Sequence, residues 1–364
     1  MWLVVCLLLA GGVVLLARRG TLSLPVGGMI PSTLVMAGVV PLLAGAPILR
    51  QRFADWIRMC RPESGGGKST LLGVAFDDLS LEEAVARAES LLASEGRGHI
   101  VVTPNSVSVL RSLRREDLLR VYRQADLVTP DGIGIVWASR ILGVPLWERV
   151  CGIDLAESLL RRASVQGYGV FLLGGRQGVS ARASRRLSER FPGLRVVGNH
   201  HGYFTDQDEP TRLVRQARPE ILLVGMGVPR QELWMAREKD RLGVPLLVGV
   251  GGSLDVWSGD LRRAPWVCQR LGLEWLYRLL REPRRLKDAL LIVAFIGRIL
   301  ALRAAIGAVG SPGRSAVSRA TSRSRGRWPP PVQLPANRQI PRERRGRLPA
   351  RSRRCRCVEP SGTR

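Results

Sequence analysis

The sequence predicts an α/β domain, a mostly parallel sheet covered by helices. Three observations carry that prediction. From about Leu71 to Leu280, short apolar runs alternate with amphipathic segments, the pattern of repeated βαβ units. Most of these runs end in glycine, proline or a small polar residue, as strands do where they enter turns. The chain of 364 residues is 45% hydrophobic but only 5% aromatic, so it can build a sizeable core and that core is aliphatic.

Strands are expected at Ile100–Val102, Leu127–Val128, Val170–Leu173, Arg195–Val197, Ile221–Val224 and Leu246–Val250, where aliphatic residues run together. Helices are expected between them at Leu81–Leu92, Ser106–Leu113, Ile153–Ala163, Ser180–Arg190 and Arg230–Lys239, where apolar and charged residues mix at helical spacing. Residues Glu63–Ser69 read as a hydrophilic linker. Gly67-Lys68-Ser69 imitates the end of a phosphate-binding loop, but Pro62 stands where that loop needs its first glycine, and Arg58–Arg61 is no buried strand.

The two ends differ from the middle. Trp2–Ala17 is a sixteen-residue apolar run closed by Arg18-Arg19, slightly short of the roughly 20 residues that span a bilayer. The arginine pair would keep its C-terminal end in the cytoplasm. Leu22–Leu49 is also apolar, but Pro25, Pro31, Pro41 and Pro47 break it. Two spans would put the arginine clusters on opposite faces, so the second segment reads as re-entrant or interfacial. The competing reading is that neither stretch is a membrane segment. At the other end, Ser311–Arg364 carries fifteen Arg against two Glu, half of the chain's net +26. Its Pro- and Ser-rich composition cannot bury enough surface to offset ordering, so it reads as a disordered tail, either an anionic-surface tether or a solvated extension. Strong basicity leaves nucleic acid, an anionic membrane or a phosphorylated substrate as partners. Three His exclude a His-rich metal site, and six scattered Cys suit a reducing compartment.

In open α/β sheets, ligands bind at the carboxyl ends of the strands. The residues there are Thr103-Pro104-Asn105, Thr129-Pro130-Asp131-Gly132, Gly174-Gly175, Gly225-Met226-Gly227-Val228-Pro229-Arg230-Gln231-Glu232 and Gly251-Gly252-Ser253 with Asp255. Glycines and helix N-termini on one edge suit a nucleotide or sugar-nucleotide cleft. Asp131 is the best candidate base, able to take a proton from a sugar hydroxyl, and it is equally placed to be a helix N-cap. Asn105 reads as a cap or a hydrogen-bond partner for a sugar, and Gln231 is similarly ambiguous. Asp206-x-Asp208 imitates a metal-holding pair, yet a helix start explains it better; His200-His201 reads as a turn. Leu261–Lys287 interleaves arginines with Trp266, Trp275 and Tyr277, which suits a membrane interface or nucleic acid. Leu290–Val309 is mostly apolar but holds Arg298 and Arg303, so it reads as interfacial more than spanning.

Thr103-Pro104-Asn105, Pro130-Asp131-Gly132, Arg149-Val150-Cys151-Gly152-Ile153-Asp154, Phe171-Leu172-Leu173-Gly174-Gly175, Gly202-Tyr203-Phe204, Gly225-Met226-Gly227-x-Pro229-x-Gln231-Glu232, Gly249-x-Gly251-Gly252-x-x-Asp255 and Glu274-Trp275-x-x-Arg278-Leu279 follow one another in order. Together they resemble the WecG/TagA/CpsF family of bacterial glycosyltransferases over about Leu71–Lys287. The resemblance implies a Rossmann-like, inverting, metal-independent enzyme with no cofactor. Such an enzyme moves N-acetylmannosamine, its uronate or a related hexose from a UDP-sugar donor to a polyprenyl-diphosphate-linked acceptor at the cytoplasmic face of the cell membrane. It implies that Asp131 is the catalytic base, that Thr103 and Asn105 line the sugar pocket, and that Gln231 and Asp255 help hold the donor. Arg149, with Arg278, Arg281 and Arg285 on a C-terminal appendage, would face diphosphate charge beside an anionic membrane. The expected division is an apolar membrane anchor (1–50), a linker (51–70), the Rossmann-like domain (71–260), a basic and aromatic helical membrane appendage (261–309) and a disordered Arg-rich tail (310–364). A Rossmann-like protein that only binds nucleic acid or lipid-linked sugar is the alternative; specific nucleic-acid binding is not expected under the enzyme reading.

Overall fold

A computed structural model of the chain describes residues 63–94, 96, 98–281 and 286–308. The expected N-terminal anchor, most of the expected linker, Arg285 and the Arg-rich tail lie outside the described residues.

Six strands form the central sheet: β4 (His99–Val102), β5 (Leu127–Val128), β6 (Gly169–Gly174), β7 (Arg195–His200), β8 (Ile221–Gly225) and β9 (Leu246–Gly249). Their order is β5-β4-β9-β8-β6-β7, and every neighbouring pair is parallel. Strand residues alternate between two cores. Ile100, Val102, Phe171, Leu173, Leu222, Val224 and Leu247 face one. Val101, Val170, Leu172, Ile221, Leu223, Leu246 and Val248 face the other. This is the period of two that a sheet covered on both sides requires.

The helices α1 (Leu81–Ala93), α2 (Ser106–Ser112), α3 (Glu116–Gln124), α4 (Ile133–Leu142), α5 (Gly152–Gln166), α6 (Val179–Arg190), α7 (Glu209–Ala217) and α8 (Arg230–Leu242) connect these strands. Ser80 and Glu83 close a reciprocal capping box at the start of α1. The close approach of β6 to β8 depends on glycine. Gly174 has φ +144°, and a Cβ there would collide with the Gly225 backbone.

The residues read as a linker instead begin a hairpin sheet of β1 (Glu63–Gly65), β2 (Lys68–Leu71) and β3 (Val74–Asp77). Ser69 is buried, as are Leu71, Leu72, Val74 and Phe76. The strands are three or four residues long and polar on their outer face, so composition alone resembles a linker. The hairpin closes the β5 edge, because Asp77 Oδ2 accepts from the Val128 amide at 2.8 Å and Asp78 Oδ1 from that of Trp147 at 2.6 Å.

Beyond β9 come α9 (Ser253–Trp257), α10 (Trp266–Arg270), α11 (Glu274–Arg281) and α12 (Leu286–Ala308). By length and composition α12 could cross a membrane, with mean hydropathy 2.2 over Leu286–Ile306. One stripe of it faces the domain: Phe295, Ile299 and Leu302 are buried in the core shared with α2 and α4. Arg111 of α2 reaches Asp288 Oδ1 at 2.8 Å.

The turns after β8 and β9 are locked together by one side chain. Gln231 is 4% exposed; its Oε1 accepts from the amides of Gly227 (3.2 Å) and Gly251 (3.0 Å). Its Nε2 donates to Glu232 Oε1 at 2.9 Å, which fixes the amide the right way round. Glu232 is itself buried, and burial pushes its carboxyl up to about 7.

Two consequences are measurable. Phe295→Ala should lower unfolding stability by about 3 kcal/mol or more, and the half-exposed Leu300→Ala by under about 1 kcal/mol; equal small losses in urea titrations would mean that α12 does not pack on the domain. For Glu232, the folded carboxyl keeps its proton to higher pH than an unfolded one near 4.5. Its contribution is therefore complete below that pH and is lost as pH rises through about 7. Glu232→Gln keeps an acceptor for Gln231 and cannot ionise. Between pH 5 and 8 the wild type should lose on the order of 2 kcal/mol more stability than this variant, read from denaturation at both pH values.

Candidate active site

The turns after β4 and β5 meet at Asp131. Its amide donates to the Pro104 carbonyl at 3.2 Å, stitching the turn after β5 to the turn after β4. The Val150 amide donates to the Pro130 carbonyl at 3.1 Å, which brings Arg149 alongside. Asp131 is half-buried two residues before α4 begins, and Gly132, at φ +112°, turns the chain between them. Gly132 holds the N-cap position of α4, so the cap reading of Asp131 gives way to a carboxylate on the approach to the helix.

Burial pushes the Asp131 carboxyl above the usual carboxylate range, and the negative charge of Glu274 adds to it. Arg149, Arg278 and a hydrogen bond from the Cys151 thiol act in the opposite sense. Arg149 Nη1 donates to Glu274 Oε2 at 2.9 Å, with both side chains less than one-fifth exposed. Arg263 grips Asp154 through two bonds of 2.6 and 2.8 Å, and its Nε lies 3.6 Å from Glu274 Oε1. Cys151 Sγ sits 3.9 Å from Glu274 Oε2, and burial, then Asp131, raises the thiol pKa.

The other expected site residues take distinct places. Thr103 is half-buried against the first residue of α5; a Cβ on Gly152 would lie 2.5 Å from its Oγ1. Asn105 is exposed beside Gly132 and caps α2, its Oδ1 accepting from the Val107 and Ser108 amides. Both readings of Asn105 are thus compatible, because the cap uses the oxygen and not the amide nitrogen. Gln231 is buried with its oxygen committed to Gly227 and Gly251, so it shapes the turns instead of presenting that oxygen to a ligand. Asp255 is half-buried in the first turn of α9. Arg278 is half-buried and its charge acts on Asp131, whereas Arg281 is exposed and stacks 5.5 Å over the Tyr277 ring. Arg285 lies outside the described residues.

Asp206 Oδ1 accepts from the Asp208 amide at 2.9 Å, and the two carboxylates pair with Arg212 and Arg241, so this pair serves the entry to α7. His201 Nδ1 accepts from the Tyr203 amide, which makes the His pair part of a turn. Sequence reasoning gave no role to Glu274, Arg263 or Asp154. All three stand inside or near quoted motifs, but the pairing of Glu274 with Arg149 joins residues 125 positions apart, which no local pattern records.

The sequence profile of the glycosyl transferase WecG/TagA/CpsF family matches residues 69–307. Over 225 residues the chain is 34% identical to an N-acetylglucosaminyldiphosphoundecaprenol N-acetyl-beta-D-mannosaminyltransferase of Bacillus spizizenii (strain ATCC 23059 / NRRL B-14472 / W23), covering 62% of this chain and 88% of the relative. A protein of the same name from Staphylococcus aureus (strain MW2) is 33% identical over 238 residues, 65% of this chain and 93% of the relative. The matched stretch takes in the parallel sheet, the turns that meet at Asp131 and the C-terminal helices that supply Glu274 and Arg278, and the chain belongs to the WecG/TagA/CpsF family of glycosyltransferases.

Proposed function

We propose that this glycosyltransferase is an inverting enzyme that moves N-acetylmannosamine, its uronate or a related hexose from a UDP-sugar to a sugar carried on polyprenyl diphosphate. The observation that carries this reading is the Asp131 carboxyl, half-buried at the strand-end edge with its pKa raised and arginines around it. A carboxylate whose affinity for protons is raised by burial is a stronger base once ionised. Asp131 takes the proton of the acceptor hydroxyl as the oxygen attacks the anomeric carbon from the face opposite the leaving UDP. The bond to the diphosphate breaks as the new glycosidic bond forms, and the configuration inverts. Arg149 and Arg278 lie on the same side as Asp131 and would offset charge on the departing diphosphate, with the N-terminus of α5 adding its partial positive charge. Thr103, Asn105 and Asp255 border the space left for the sugar and its nucleotide.

A lipid-carried acceptor calls for a membrane-facing surface. Trp266 and Val267 are each 56% exposed and Leu280 is 76% exposed, with Arg281 near Leu280 on α11. Apolar and cationic groups together on one appendage suit the headgroup region of an anionic bilayer. The reading therefore places the enzyme at the cytoplasmic face of the cell membrane, with α10–α12 toward lipid.

Asp131→Asn should reduce transfer by about 10²- to 10⁴-fold with melting behaviour near that of the wild type, and the wild-type rate should fall as pH drops through the raised pKa of Asp131. The assay is a panel of UDP-sugars with polyprenyl-diphosphate-linked acceptors read by mass spectrometry. Unchanged transfer by the variant would remove Asp131 from the role of base.

A further inference from the structure

Glu274 opens α11, and an acidic first-turn residue ordinarily does no more than complement a helix N-terminus. Here the side chain points away from solvent. It is 15% exposed, donor groups of Arg149 and Arg263 lie 2.9 and 3.6 Å from its two oxygens, and the Cys151 thiol is 3.9 Å away. Two residues earlier, the Gly272 turn rests on Ile133, so close that a Cβ on Gly272 would fall 2.7 Å from the Ile133 side chain. Ile133 is two residues past Asp131. The α10–α11 turn thus reaches the surroundings of Asp131 at two points, Gly272 against Ile133 and Glu274 against Arg149 and Cys151.

We propose that Glu274 is a positioning residue for the transfer reaction: from α11 its carboxylate fixes Arg149 beside Asp131. The inference rests on the reading of Asp131 as the base. The charged and titratable groups that face Glu274 or Asp131 are Arg149 and Cys151 before α5, Asp154 within it, Arg263 after α9 and Arg278 on α11. Removing the charge of Glu274 takes away one influence that raises Asp131 and leaves the Arg149 charge beside Asp131 without its competing anion. Both changes favour the ionised Asp131, so both lower its pKa and weaken it as a base.

The test compares wild type, Glu274→Gln and Glu274→Asp in the full chain. Glutamine keeps an acceptor for Arg149 without the charge. Transfer from a panel of UDP-sugars (N-acetylmannosamine, its uronate and related hexoses) to polyprenyl-diphosphate-linked acceptors is followed from about pH 5 to 9. The Asp131 carboxyl is titrated separately by carbon-13 NMR and assigned by its loss in Asp131→Asn. Glu274→Gln should move the acid limb and the carboxyl titration down by roughly half a pH unit or more and lower kcat/KM about tenfold. Glu274→Asp should recover part of both. A purely structural glutamate would lower the melting temperature and leave both titrations in place, and that result overturns the proposal. A wild-type chain without transfer, whose Asp131 still titrates lower in Glu274→Gln, overturns the reading of Asp131 as a glycosyltransferase base and supports the coupling. A transferring wild type matched by Glu274→Gln in limb and titration overturns the coupling alone.

Discussion

Carboxylates and guanidinium groups cannot be taken out of water singly, and the strand-end site is built around that constraint. Asp131, Asp154 and Glu274 lie among Arg149, Arg263 and Arg278, three anions with three cations. Desolvation raises the electrostatic stakes for every member, so each needs a neighbour of opposite sign in a fixed place. The members come from distant stretches: the turn after β5, the segment before α5, the first turn of α5, the segment after α9 and helix α11. The α/β domain therefore shares this cluster with the C-terminal segment, which supplies Arg263, Glu274 and Arg278.

The same balance shapes the proposed chemistry. A site that is near neutral when empty gains negative charge when a diphosphate enters. The incoming oxygens then compete with Glu274 for Arg149, at the place where a leaving group must be stabilised. Asp131 works in the opposite direction, because accepting the acceptor's proton removes one negative charge as another develops on the departing UDP. A base held above its ordinary pKa by burial and a neighbouring anion suits that exchange. In that reading, arginines that meet the diphosphate and a carboxyl held above its ordinary pKa are two aspects of one electrostatic arrangement.

Much of the fold was legible because parallel strands covered on both faces must be nearly all apolar, and the runs at Ile100, Val170, Ile221 and Leu246 are. Where other forces decide, the sequence says less. Residues Glu63–Ser69 look like a linker because their inward positions include the polar Ser69, which is buried opposite Phe76 of β3. Helix α4 hides behind Gly132 and Gly134, and α3 is a short nine-residue segment between better-marked elements. At the site, a carboxylate just beyond a strand end marked Asp131 as a candidate base or a helix N-cap, and the cap position falls to Gly132. The place of Gln231 at the turns was legible and its burial was not, since only folding sets Gly227 and Gly251 side by side. Glu274 was out of reach for the same reason: its meaning lies in partners brought together by tertiary structure.

The C-terminal helices touch the site twice, and the two contacts reinforce each other. Through α11, Glu274 pairs with Arg149 next to Asp131. Through α12, Phe295, Ile299 and Leu302 pack into the core beside α2, and Asp288 pairs with Arg111 on that helix. The other end of α2 is capped by Asn105, which borders Gly132 in the Asp131 turn. A rigid helix carries the position of α12 to Asn105 just as the ion pair carries the position of α11 to Arg149. Much of α12 stays only partly buried and apolar. A segment with one stripe in the core and the rest apolar and only partly buried ties the geometry around Asp131 to whatever its outer face meets.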